Sequence, residues 1–104
     1  MTLRIVRMGS WLYGGSVATP VDVVALDYDY WYQLGEADGA LEPAETPQPL
    51  GQDGFLYYAR FRHALETSEP TWPDSPGYGT IGEAVAHAES KVTGGIVWQA
   101  PFAA

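Results

Sequence analysis

The stretch Asp22-Val-Val-Ala-Leu-Asp-Tyr-Asp-Tyr-Trp-Tyr-Gln-Leu34 holds the chain's longest apolar alternation and four of its aromatic residues. Read as a strand, it places Val24, Leu26, Tyr28, Tyr30, Tyr32 and Leu34 on one face, with Asp27, Asp29, Trp31 and Gln33 on the other. Read as a helix, it has a start signal in Thr19 as N-cap, Pro20 at the first helical position and Asp22 in the first turn. The strand reading is preferred. Its Val and Tyr content suits a pleated surface, and a helix would carry Asp27 and Asp29 toward its negative end. Thirteen extended residues would span about 43 Å, longer than a usual strand, so a bend, a bulge or a late start is expected.

The same stretch opens an acidic sector. No Lys or Arg lies between Arg7 and Arg60, an interval that holds Asp22, Asp27, Asp29, Glu36, Asp38, Glu42, Glu45 and Asp53. The rest of the chain balances its acids and bases, so the net charge of -8 belongs to this one segment. Such a surface repels phosphate backbones and argues against a nucleic-acid partner. It suits a basic protein partner or a hard cation, beside the plainer role of a solvated face.

Outward from this stretch, Leu3-Arg-Ile-Val-Arg-Met8 reads as a first strand, followed by turns at Gly9, Gly14 and Gly15 around Trp11-Leu-Tyr13. Residues 35–54 form a long acidic connection with Pro43, Pro47 and Pro49, of a length often associated with function or mobility. Phe55-Leu-Tyr-Tyr-Ala-Arg-Phe-Arg62 reads as the next strand. The spacing of Asp27 and Asp29 matches that of Arg60 and Arg62, which predicts a cross-strand ion-pair ladder on the solvent side. A second irregular segment from His63 to Gly79 contains Trp72 between Thr71 and Pro73, placed to fold onto the domain body. Thr80-Ile-Gly-Glu83 is a capping box, and Ile81, Ala84, Val85, Ala88 and Val92 make an apolar stripe on a helix running to about Val92. Gly94-Gly95 ends that helix, and Ile96-Val-Trp-Gln-Ala100 is the final strand.

Known chemistry is not signalled. The chain has no cysteine, no Gly-x-Ser-x-Gly and no phosphate-binding glycine motif. Gly77-Tyr-Gly79 precedes a helix but lacks an adjoining base to retain a phosphate. Asp27-x-Asp29 fails as a calcium loop, because the third ligand position is Trp31. His63 and His87 show no ligand spacing, and His87 is expected on the solvated side of its helix. No cofactor, metal site or catalytic residue is therefore assigned.

At 104 residues the chain reads as one domain, able to bury about 65% of the surface of its unfolded form. The expected fold is α+β, with about four mostly antiparallel strands in the order β-β-β-α-β and the helix on one sheet face. An uncovered aromatic face or an open edge strand would favour self-association. No apolar run long enough for a signal peptide or a membrane span is present, so neither a membrane partner nor a compartment other than the cytoplasm is expected. The expected function is a small non-enzymatic protein-interaction module, possible as a homodimer, with Trp31, Glu36, Asp38 and Trp72 as candidate binding residues. The alternatives are a small-ligand or carbohydrate binder using Trp31, Trp72 and nearby tyrosines, and an enzyme pairing a carboxylate with His63 or His87.

Overall fold

The structure, a computed structural model, describes residues 4–61 and 73–99. Strands β1 (Arg4–Tyr13) and β2 (Val17–Leu26) form a long antiparallel hairpin, and β2 pairs antiparallel with β3 (Leu56–Phe61). A two-residue strand, β4 (Val97–Trp98), pairs antiparallel with β1 and completes the order β3-β2-β1-β4. Helix α1 (Tyr30–Ala37) follows β2, and helix α2 (Ile81–Ser90) packs on β3 and β2. The α+β architecture with four antiparallel strands is the expected one, but α1 makes the chain order β-β-α-β-α-β.

The opening stretch therefore changes structure halfway. It extends as β2 to Leu26, bends at Asp27 and Tyr28, and becomes helical at Tyr30. The helix start lies at Asp29, not at Thr19: Asp29 is extended (φ -79°, ψ 105°) and its carboxylate accepts from the Tyr32 amide. A second helix-end amide, that of Tyr30, donates to the Tyr58 hydroxyl at 2.9 Å. Thr19 and Pro20 instead lie within β2, opposite Trp11 and Ser10.

Alternation along β2 and β3 creates two cores. Val24, Leu26, Leu56 and Tyr58 face one way and meet Tyr30, with Ile5, Tyr28 and Leu34 around them. Val21, Val23, Ala25, Tyr57 and Ala59 face the other way and meet Ala84 and Ala88 of α2. Tyr30, Tyr57 and Tyr58 are buried in these cores. The capping box at Thr80 forms, with its hydroxyl accepting from the Glu83 amide at 3.2 Å. Close approach of α2 rests on its two fully buried alanines; Ile81, Val85 and Val92 are half-buried, and the helix ends at Ser90.

Two further differences bear on the surface. A bulge between Ile5 and Arg7 lets neighbouring Val6 and Arg7 both meet the α2 side, where Arg7 lies over the Trp98 ring. Gly9 is not a turn. It sits in β1 beneath β4, where a β-carbon would lie 2.8 Å from the Trp98 ring and 2.9 Å from Ile96. The outer edge of β3 is also occupied, because Tyr78 exchanges both backbone hydrogen bonds with Tyr57 and Ser75 Oγ accepts from the Ala59 amide.

The expected ladder of Asp27 and Asp29 with Arg60 and Arg62 does not form as drawn. Leu26 is already opposite Leu56, so Asp27 and Asp29 lie past the paired region, and the register puts Asp22 opposite Arg60. Arg62 lies outside the described residues. The Asp22–Arg60 pair is closed at 2.8 Å with both side chains essentially inaccessible. Arg60 donates to one Asp22 oxygen through both Nε and Nη2. Two charges so placed cost several kcal/mol each in lost hydration, and the pair holds because each supplies the other's counter-charge. Arg60→Leu is expected to cost about 3–5 kcal/mol in denaturant unfolding, since it removes the buried guanidinium that meets the Asp22 carboxylate at 2.8 Å. A loss below about 1 kcal/mol would show that the pair behaves as an exposed one.

Candidate functional site

Helix α1 and the connection after it build a cleft in the acidic sector. Asp29 is the hinge. One carboxylate oxygen caps α1 through Tyr32, and the other accepts from the Gln48 amide at 2.8 Å. The Gln48 side chain continues the tie by donating to the Gly77 carbonyl, also at 2.8 Å. Gln48 thus clips the long proline-rich connection to α1 on one side and to the segment flanking β3 on the other.

Between α1 and this clipped strand of chain lies a cleft of about 400 Å³. Tyr28, Tyr32, Pro47, Pro49 and Leu50 supply its apolar walls, while Asp27 and Glu36 stand on it as exposed carboxylates. Among the described residues no Lys, Arg or His lines it. Burial raises the Tyr28 phenol above its ordinary pKa, and the neighbouring Asp27 carboxylate adds to the shift. Tyr28 is therefore a neutral hydroxyl-bearing ring near physiological pH, on the same cleft as the Asp27 and Glu36 carboxylates.

The residues singled out from sequence separate into different places. Glu36 is in the last turn of α1 and lines the cleft. Asp38 is the C-cap of α1 and is exposed, outside the cleft lining. Both carboxylates thus sit at the negative end of the helix, with no basic residue in its last turn to offset them. Trp31 is 43% exposed and points to a second, open cleft formed with Pro73, Asp74, Ser75 and Pro76. Its indole N–H donates to the Ser75 carbonyl at 2.8 Å, and its ring stands edge-on to Tyr30. Trp31 and Glu36 are not brought together. Trp72 and His63 lie outside the described residues. The reading from sequence missed Tyr28, Tyr32 and Gln48, because all three gain their positions from the strand-to-helix change at Asp29.

Comparison with protein-family models, with curated proteins and with solved structures finds no match.

Other titratable groups are engaged locally. His87 is half-buried, not solvated as expected, with Nδ1 2.7 Å from the Tyr78 hydroxyl. Tyr57 donates to Asp53, and burial followed by that bond raises its phenol to about 12. Burial likewise raises the Tyr58 phenol to about 12, against a lowering by the Tyr30 amide that donates to it. Among the described residues no group of three or more His, Asp or Glu side chains converges as a metal site would require.

Two outcomes follow from these contacts. Asp29→Ala removes the cap of α1 and the anchor of Gln48, and is expected to cost about 1–2 kcal/mol with faster amide exchange at residues 30–33 and 48. An unchanged exchange pattern would contradict the hinge role. The folded Tyr57 and Tyr58 phenols hold their protons more tightly than the unfolded chain does, whose tyrosines ionise near 10.0. Stability from this source is complete below pH 10.0 and is lost as pH rises toward about 12. Tyrosinate absorbance should show the Tyr57 and Tyr58 phenols titrating late and coincident with alkaline unfolding.

Proposed function

We propose that the protein is a non-enzymatic interaction module, which takes a basic segment of a protein partner in the cleft between α1 and residues 47–50. The observation that carries this reading is the pairing of apolar walls with Asp27 and Glu36 and the lack of any basic lining residue. Tyr28 and Tyr32 offer flat apolar surface over which an Arg or Lys stem can lie, with the cationic head at the carboxylates. The position of Glu36 and Asp38 at the helix's negative end adds to the attraction, since a bound cation relieves an unfavourable dipole contact. The absence of basic residues between Arg7 and Arg60 extends the same field along the chain and would steer a cationic partner during encounter.

The test is calorimetric titration of short peptides that combine Arg or Lys with an apolar residue, compared with charge-matched acidic peptides. Basic peptides are expected to bind with an affinity that falls as salt rises. The double variant Asp27→Lys/Glu36→Lys should retain its circular dichroism and lose at least about tenfold in affinity. Equal binding of basic and acidic peptides, or indifference to the double variant, would sink the proposal.

A further inference from the structure

A second cleft has the opposite chemistry. The tip of the β1–β2 hairpin and the turn from α2 into β4 enclose about 740 Å³, within the range of small-molecule sites. Its walls include Trp11, Leu12, Val92 and Val97; Leu12 and Val97 are 55% and 76% exposed, with nothing packed across them among the described residues. Lys91, the chain's single lysine, stands on the same cleft and makes no ion pair among the described residues. Among the described residues no acidic one lines it. Gly94 and Gly95, both at positive φ, carry the turn along the rim without side chains that would fill the opening.

We propose that this cleft binds a small amphipathic carboxylate. Its apolar ring lies against Trp11, Leu12, Val92 and Val97, and its oxygens meet the Lys91 ammonium. A single cation matches a single negative charge. A phosphate or a dicarboxylate would carry charge that nothing in the lining offsets, on a protein whose net charge is already -8. The two clefts share no lining residue, so this site stands independently of the acidic one.

The test is a heteronuclear NMR titration of the full chain with naphthalene carboxylate, and in parallel with the neutral naphthylmethanol. The carboxylate should saturate and shift the Trp11 indole and the Gly94 and Gly95 amides. Lys91→Gln should weaken it by about fivefold, the effect of one exposed charge pair, and leave the neutral probe unchanged. Leu12→Arg, at an exposed position, should abolish binding of both probes. Absence of saturable shifts at about 10 mM probe overturns the site. Equal affinity of the two probes, or insensitivity to Lys91→Gln, overturns the carboxylate assignment. A concentration-dependent dimer that Leu12→Arg dissolves, with no probe shifts, assigns the surface to a second copy of the chain instead.

Discussion

The Tyr58 hydroxyl, buried between sheet and helix, is the contact on which the arrangement depends. It accepts from the Tyr30 amide at 2.9 Å and lies 3.4 Å from the Tyr28 carbonyl. An α-helix leaves its first amides without partners, and a strand that turns into a helix buries the junction. Here a side chain from a neighbouring strand satisfies the Tyr30 amide, while the Asp29 carboxylate satisfies the Tyr32 amide from within the chain. β2 can therefore stop at Leu26 and hand over to α1 with these two amides paired. The close fit extends to Gly77, where a β-carbon would approach the Tyr58 hydroxyl to 3.0 Å. The segment that covers the β3 edge and the tyrosine that caps α1 are thus fitted to one another.

The Asp22–Arg60 pair acts on the same sheet by a different means. Register in an antiparallel pair with both faces buried is set by side-chain pattern, and a one-residue slip would exchange the two cores. A buried carboxylate that must meet a buried guanidinium makes such a slip costly, because both charges would lose their partner. The pair thus serves register more than net stability. It also removes one acid from the solvent-facing field, so the exposed negative charge beside α1 comes from Asp27, Glu36 and Asp38.

Much of the fold was legible in local sequence. Thr80 and Glu83 announced α2 and the alternation of Phe55 to Phe61 announced β3, whereas Gly94-Gly95 set the helix end too late, since α2 stops at Ser90. The failures cluster where long-range contacts decide. Residues 28–34 alternate well enough for a strand, and what makes part of them helical is the Tyr58 hydroxyl, distant in sequence. The helix signal itself was present in Asp29, but it lay inside an alternating run and was overshadowed by Thr19-Pro20. For the candidate clefts, Glu36 could be flagged by charge alone. Gln48 could not, since its two hydrogen bonds exist only once α1 and residues 73–79 are in place. The Lys91 cleft was likewise hidden, because the hairpin tip and the α2–β4 turn are far apart in the chain.

The Gln48 clip has a consequence for the entropy of the chain. Residues 38–55 would otherwise be a single long excursion between α1 and β3, and closing such a loop grows costlier with its length, though slowly. Pinning Gln48 from both its backbone and its side chain divides the excursion into two shorter arcs. The second arc is further closed by the turn in which Gly51 donates to Phe55 and Gly54 to Gly51. The first arc, from Asp38 to Pro47, keeps its residues largely exposed and bears Glu42 and Glu45. Length tolerance and protease access should therefore be divided unevenly along one connection: permissive before Gln48, restrictive after it.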